Sequence, residues 1–354
     1  MTVLVTGATG HLGANLVRAL LAQGRPVRAL VRGEATLGAL EGLPVARVRG
    51  DVLDPAAVDA AVAGVDVVYH LAARISLVPS DAAVMGRVNV EGPRHVATAC
   101  LRHGVRRLVH FSSVHALSPP EGDGVTDETR PPNVAPDAPA YDRSKSAGEA
   151  EILKAVARGL DAVIVNPTGV LGPYAFYPEH QLRFLLDVYH GVLPALLDGG
   201  FNWVDARDVV QGALAAETRG RCGERYLLSG SWVSARDVAC AIEAATGRRT
   251  RKTSLPLWVA RLGVPFAALH AALTRSTPLY TASSLRALRE HRRCDPSKAQ
   301  RELGYTARPF AETIADTFAF WGELGLLQPE ARRHAGRRAA LRLTGPSEVP
   351  HVAP

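Results

Sequence analysis

Cysteine is scarce: 4 in 354 residues, at positions 100, 222, 240 and 294, with no C-x-x-C spacing and no paired histidines nearby. That pattern argues against a disulfide scaffold and against a structural zinc site. The thiols read as reduced, and no metal is expected. No run of 18 apolar residues occurs, so no membrane span is expected. The start, MTVLVTGATG, lacks the basic segment and cleavable apolar core of a secretory leader. These absences together predict a cytoplasmic protein. Aromatic residues are only 6%, and no aromatic-basic surface motif accompanies the formal charge of +7. Five arginines (332, 333, 337, 338, 342) fall in the last 25 residues, against two glutamates. The body is therefore almost neutral, and no nucleic-acid partner is expected.

What is present suits a large apolar core: 47% hydrophobic and 21% charged residues. The first half alternates short β-rich runs with helical spacing. Strands are predicted at Val3–Thr6, Val27–Val31, Val45–Val48, Asp66–Tyr69, Leu108–Phe111 and Ala162–Val165. Helices are predicted at His11–Gln23, about 84–102 and Ala140–Ala157. This alternation predicts an α/β fold, a Rossmann-type doubly wound parallel sheet over residues 1–173. Beyond Pro173 the pattern shifts. A strand near 201–204, a helix over 205–216, a strand at 224–228 and a helix over 234–245 are expected, then helices near 256–272, 295–303 and 310–325. They predict a smaller C-terminal α/β substrate lobe over 174–329, some of it rejoining the core. Residues 330–354 read as a disordered basic tail.

Three motifs carry chemistry. Gly7, Gly10 and Gly13 follow the first strand and open the first helix. Glycines let such a turn close and let backbone N–H groups approach a pyrophosphate at a helix N-terminus. At the end of the second strand, where an acid would hold the ribose hydroxyls of NAD, stands Arg32. A guanidinium there suits the 2′-phosphate of NADP; a solvated surface arginine is the alternative. Tyr141 and Lys145, four residues apart on a helix, share one face. A nearby ammonium would lower a phenol's pKa toward the range of general acid–base work. Ser113, at a strand's C-terminal end 28 residues before Tyr141, can donate to a developing oxyanion.

The order and spacing of these pieces resemble the extended short-chain dehydrogenase/reductase family over about residues 1–325. Further matching stretches are Asp51-Val52, His70–Ala73, Asn89–Gly92, Asn166-Pro167 through Leu171–Pro173, and Val204-Asp205 to Asp208-Val209. The resemblance implies that Ser113, Tyr141 and Lys145 form a catalytic triad, with Lys145 also holding the nicotinamide ribose. It implies a cofactor site built from Gly7, Thr9, Gly10, His11, Leu12, Gly13, Asp51, Val52, Leu71, Ala72, Ala73, Asn89, Pro167, Gly169 and Val170, with Tyr141 and Lys145. The layout is most similar to the dihydroflavonol reductase and 3β-hydroxysteroid dehydrogenase branch. Sugar 4,6-dehydratases carry an Asp-Glu pair after the triad hydroxyl; here Val114-His115 follows Ser113. The expectation is NADP(H)-dependent reduction of a ketone or aldehyde on a moderately apolar small molecule, with NAD as the second cofactor choice. A sugar-nucleotide epimerase retaining NAD and a non-catalytic dinucleotide sensor stand as alternatives. A homodimer is compatible with the family. His115 reads as a loop histidine or a second donor, and His70 as packing. Tyr174, Phe176, Tyr177 and Trp203 are candidates for either pocket or core. The apolar stretch 255–273 reads as a packed helix pair.

Overall fold

The computed structural model describes residues 1–33, 38–76, 81–178, 181–259, 285–286 and 288–328. Residues 34–37, most of the stretch 255–273 and the arginine-rich tail lie outside the described residues.

Seven parallel strands form the central sheet. They are β1 (Val3–Thr6), β2 (Val27–Val31), β3 (Val45–Arg49), β4 (Val67–His70), β5 (Arg107–Phe111), β6 (Ala162–Pro167) and, later in the chain, Arg225–Leu228. The order is Arg225–Leu228, β6, β5, β4, β1, β2, β3. β1, β4 and β6 are buried throughout, which is why they read as unbroken apolar runs and not as alternating ones. Helices cover both faces. On one lies α1 (His11–Ala22), with α7 (Ala206–Arg219) against it. On the other lie α2 (Pro55–Val62), α4 (Gly92–Arg102) and α5 (Ala140–Val156).

The long helix expected at 84–102 is not regular. It runs as α3 (Ala82–Gly86), a π-helical segment Arg87–Glu91, then α4. The wider turn carries Asn89 inward, where it is buried and fully engaged. Its Oδ1 accepts from Arg74 N (2.8 Å), and its Nδ2 donates to Arg74 O and to Ser144 Oγ (both 2.9 Å).

The second half adds α6 (Gln181–Tyr189) and a three-stranded sheet. That sheet pairs β7 (Gly169–Leu171) parallel with β8 (Gly200–Asp205), and β8 antiparallel with Ser231–Ser234. α8 (Ala235–Thr246) and the late helix Phe310–Glu323 complete a separate apolar cluster that includes Leu185, Trp203, Ile242 and Trp321. Trp203 is thus core, 2% exposed. Tyr174 and Phe176 stack beneath the Arg18 guanidinium, which lies 4.3 Å and 5.4 Å from their ring centres.

At the N-terminal end of the sheet, Glu217 of α7 is buried among donors. It accepts from Arg25 (2.6 and 3.2 Å), Arg106 (2.6 Å) and the Tyr69 hydroxyl (2.5 Å). This end lies opposite the strand termini where ligands of open parallel sheets bind.

Candidate active site

The turn after β1 shows which glycines the chain needs for its own packing. Gly7 has φ +70°, and a Cβ on it would lie 2.7 Å from Ala72 N. A Cβ on Gly13 would lie 2.1 Å from Gly7 O. Neither position has room for a side chain. Gly10 is different. It is exposed, and its Cβ would meet only Gly7 O, at 3.4 Å. Packing leaves space there, at the N-cap of α1, where no side chain caps the helix. An open glycine beside uncapped N–H groups is a cradle that a phosphate fills, so these residues fit the dinucleotide.

His11 and Leu12 open α1 just after Thr9 and Gly10. The His11 ring, brought down to about 4 by burial, is neutral, and Nε2 donates to the carbonyls of Gly172 (3.1 Å) and Pro173 (3.0 Å). Its side chain fastens the glycine turn to the segment that leaves β7. Leu71, Ala72 and Ala73 leave β4 directly beside that turn, with Ala72 N donating to Thr6 Oγ1 at 3.2 Å. Asp51 accepts from Leu53 N at 2.9 Å, and Val52 packs against Gly92 of α4. Asn89 holds the backbone of Arg74, four residues past β4. Pro167 ends β6, and Gly169 and Val170 belong to β7. His70 is buried, pushed down to about 3 by burial, bonded to Thr6 Oγ1 (2.7 Å) and stacked on His110, which makes it packing.

Arg32 is exposed just past β2, with no hydrogen bond or ion pair among the described residues. β3 brings a second cation to this corner. Arg49 is in register with Val31, and it too is exposed and unpaired among the described residues. Sequence reading missed Arg49, because only strand pairing places it one residue from Arg32.

Ser113 follows β5; Tyr141 and Lys145 lie on α5, the latter directly over that strand's end. Lys145 is buried and donates from Nζ to Phe111 O at 2.9 Å. Burial lowers its ammonium to about 8, partly offset by Glu149 one turn along. Burial pushes the Tyr141 phenol up to about 12, while the facing Ser113 hydroxyl pulls it down. Desolvation outweighs the Ser113 hydroxyl here.

The support of Ser113 was also not foreseen. Asn166 donates to Ser113 O (2.9 Å) and to the buried Glu149 (2.7 Å), and Glu149 accepts from Arg225 (2.6 Å). Three residues on α5, β6 and the Arg225–Leu228 strand thus fix one loop carbonyl. His115 sits beside the triad, its ring centre 6.0 Å from that of Tyr141 and its Nδ1 3.7 Å from Asp142 Oδ1. Burial pulls His115 down, but Asp142 and Glu290 outweigh it and leave it raised. His115, Thr168, Gln181, Phe201, Asn202 and His291 line the adjoining cavity.

A family model described as the NAD dependent epimerase/dehydratase family matches residues 3–229. "Sterol demethylase protein B" of Methylococcus capsulatus is 39% identical over 335 residues, covering 92% of this chain and all of that one. A "putative dihydroflavonol 4-reductase" of Synechocystis is 34% identical, covering 92% and 96%. The crystal structure of gox2253 superposes with a TM-score of 0.81 at 30% identity, covering 92% of this chain and 98% of that one.

Proposed function

The chain belongs to the NAD dependent epimerase/dehydratase family, and from that premise we propose that it reduces a ketone or aldehyde on a moderately apolar small molecule, using NADP(H). The observation that carries this reading is an arrangement: Tyr141 faces the Ser113 hydroxyl, and Lys145, one turn along α5, is buried with Nζ donating to Phe111 O at 2.9 Å. A reduction needs an acid that still holds its proton at neutral pH. An alkoxide is a far stronger base than a phenolate, so a raised phenol remains a competent donor.

When bound, the reduced nicotinamide supplies the hydride. The turn of Gly7, Gly10 and Gly13 would hold the pyrophosphate at the N-terminus of α1, with Gly10 leaving the room for it, and Lys145 would hold the ribose. Ser113 Oγ donates to the carbonyl oxygen as charge grows there. Tyr141 gives that oxygen its proton. Asn166 and Glu149 act as positioning residues for Ser113. A relative named as a dihydroflavonol reductase supports the direction of the reaction, and Val114-His115 in place of an Asp-Glu pair disfavours dehydration.

For cofactor choice we infer that Arg32, with Arg49 beside it, takes the 2′-phosphate. A phosphate there meets two guanidiniums; NAD offers only a hydroxyl. Arg32→Asp is expected to move the NADPH/NADH preference toward NADH by at least roughly tenfold, or 1.4 kcal/mol. Steady-state kinetics with both cofactors checks this, and an unmoved ratio returns Arg32 to the solvated surface.

The activity itself is tested with a panel of ketones and aldehydes and each nicotinamide cofactor. NADPH oxidation on apolar carbonyls is expected, with cofactor released on purification. A chain inert on the whole panel that keeps NAD and interconverts a nucleotide sugar would be an epimerase.

A further inference from the structure

We propose that His115, Glu290 and His291 form a binding site for a divalent transition metal ion of the zinc type. Their ligand atoms all lie within 4.8 Å of one another, although 175 residues separate the first from the second. His291 is 4% exposed, its Nδ1 pairs with Thr126 Oγ1 at 3.0 Å, and its Nε2 is buried without a partner. A buried imidazole nitrogen left unpaired is costly. The backbone adds a second cost, since His291 has φ +50°, a conformation that residues other than glycine rarely adopt. Both costs fall on one residue whose ring stands perpendicular to that of His115, with centres 5.3 Å apart.

The surroundings match those of metal ligands. Metal-bound histidines usually direct their other nitrogen to a carboxylate or another oxygen. His291 does so, pairing Nδ1 with Thr126, while His115 Nδ1 lies 3.7 Å from Asp142, beyond hydrogen-bond reach. Glu290 gives Oε1 to Arg286 and keeps a second oxygen. Two imidazoles and one carboxylate suit Zn²⁺ or Co²⁺ better than Ca²⁺ or Mg²⁺, which prefer oxygen. A small inward movement brings the three donors to the roughly 2.0–2.2 Å of such bonds. The ion would displace any proton on His115. It would also bind residues 290–291 to the loop after β5 and face the cavity lined by Thr168, Gln181 and Asn202.

The test is zinc binding by the full chain, without tag, nucleotide or substrate, so it stands apart from the reductase reading. After chelation and dialysis, titration with Zn²⁺ alone should show one tight equivalent per chain. Co²⁺ should give a visible absorption band that Zn²⁺ removes. His291→Gly, which suits the backbone, should weaken binding by roughly tenfold or more. Glu290→Gln should weaken it too, and serves if the first variant does not fold. Replacing His334 and His351 in the tail should change nothing. Absence of a tight equivalent, or equal affinity in both site variants, overturns the proposal.

Discussion

Tyr141→Phe is expected to cut turnover about 100- to 10,000-fold while leaving NADPH affinity unchanged. The substitution removes one hydroxyl and keeps the ring. The contact between Lys145 and Phe111 O does not involve that hydroxyl, so nucleotide positioning should survive. Steady-state kinetics and a separate binding titration distinguish the two quantities. More than about half of the activity remaining would mean that another group delivers the proton.

The same variant isolates the titration of Lys145. Its ammonium, lowered by burial to about 8, is charged below that value and neutral above it. NADPH affinity in Tyr141→Phe should therefore be constant through neutral pH and fall as pH rises through about 8. A flat profile would show that the charge on Lys145 plays no part in holding the nucleotide.

Glu217→Ala is expected to destabilise the fold by about 3–5 kcal/mol, since breaking a buried ion pair leaves its partners uncompensated. Tyr69 OH and Arg25, both largely buried, lose their acceptor. Arg106 is about half exposed, at 48%, and can turn back to water, so its share is the smallest. Chemical denaturation reads the change as a lower midpoint with little change in slope. A loss below about 1 kcal/mol would show that water replaces the carboxylate without strain. Burial pushes Glu217 up, yet Arg25, Tyr69 and Arg106 outweigh it and hold the carboxyl below its ordinary value. A depressed carboxyl contributes stability above its unfolded pKa, roughly 4.3, and loses it as pH falls through the folded value. Glu217→Gln should lack that acid-sensitive component. Residual activity per folded molecule should stay near normal, because the network lies at the end of the sheet away from Tyr141.

The sheet was readable because local chemistry and burial agree. Val3–Thr6 and Ala162–Pro167 are buried on both faces, so only continuous apolar runs fit there. The helix Pro55–Val62 went unseen because it spans only eight residues, although Asp54 caps it and Pro55 opens it. The π turn at Arg87–Glu91 was beyond reach: an α-helical period continues on either side, and only tertiary contacts to Arg74 and Ser144 select the wider turn. Tyr141 and Lys145 could be paired from their spacing. The sign of the Tyr141 shift could not, since desolvation depends on everything packed around the phenol. Glu290 and His291 meet His115 only because the chain returns across the lobe, and no local pattern records a return.

The strand order also bears on how the chain is made. A ribosome releases β1 first, then β2 and β3, which extend the sheet to one side in turn. β4 next joins the free edge of β1, and β5, β6 and Arg225–Leu228 follow outward in sequence. No strand has to be inserted between two that are already paired. Each new segment finds an open edge, so vectorial synthesis can lay down all seven strands without breaking a hydrogen bond formed earlier.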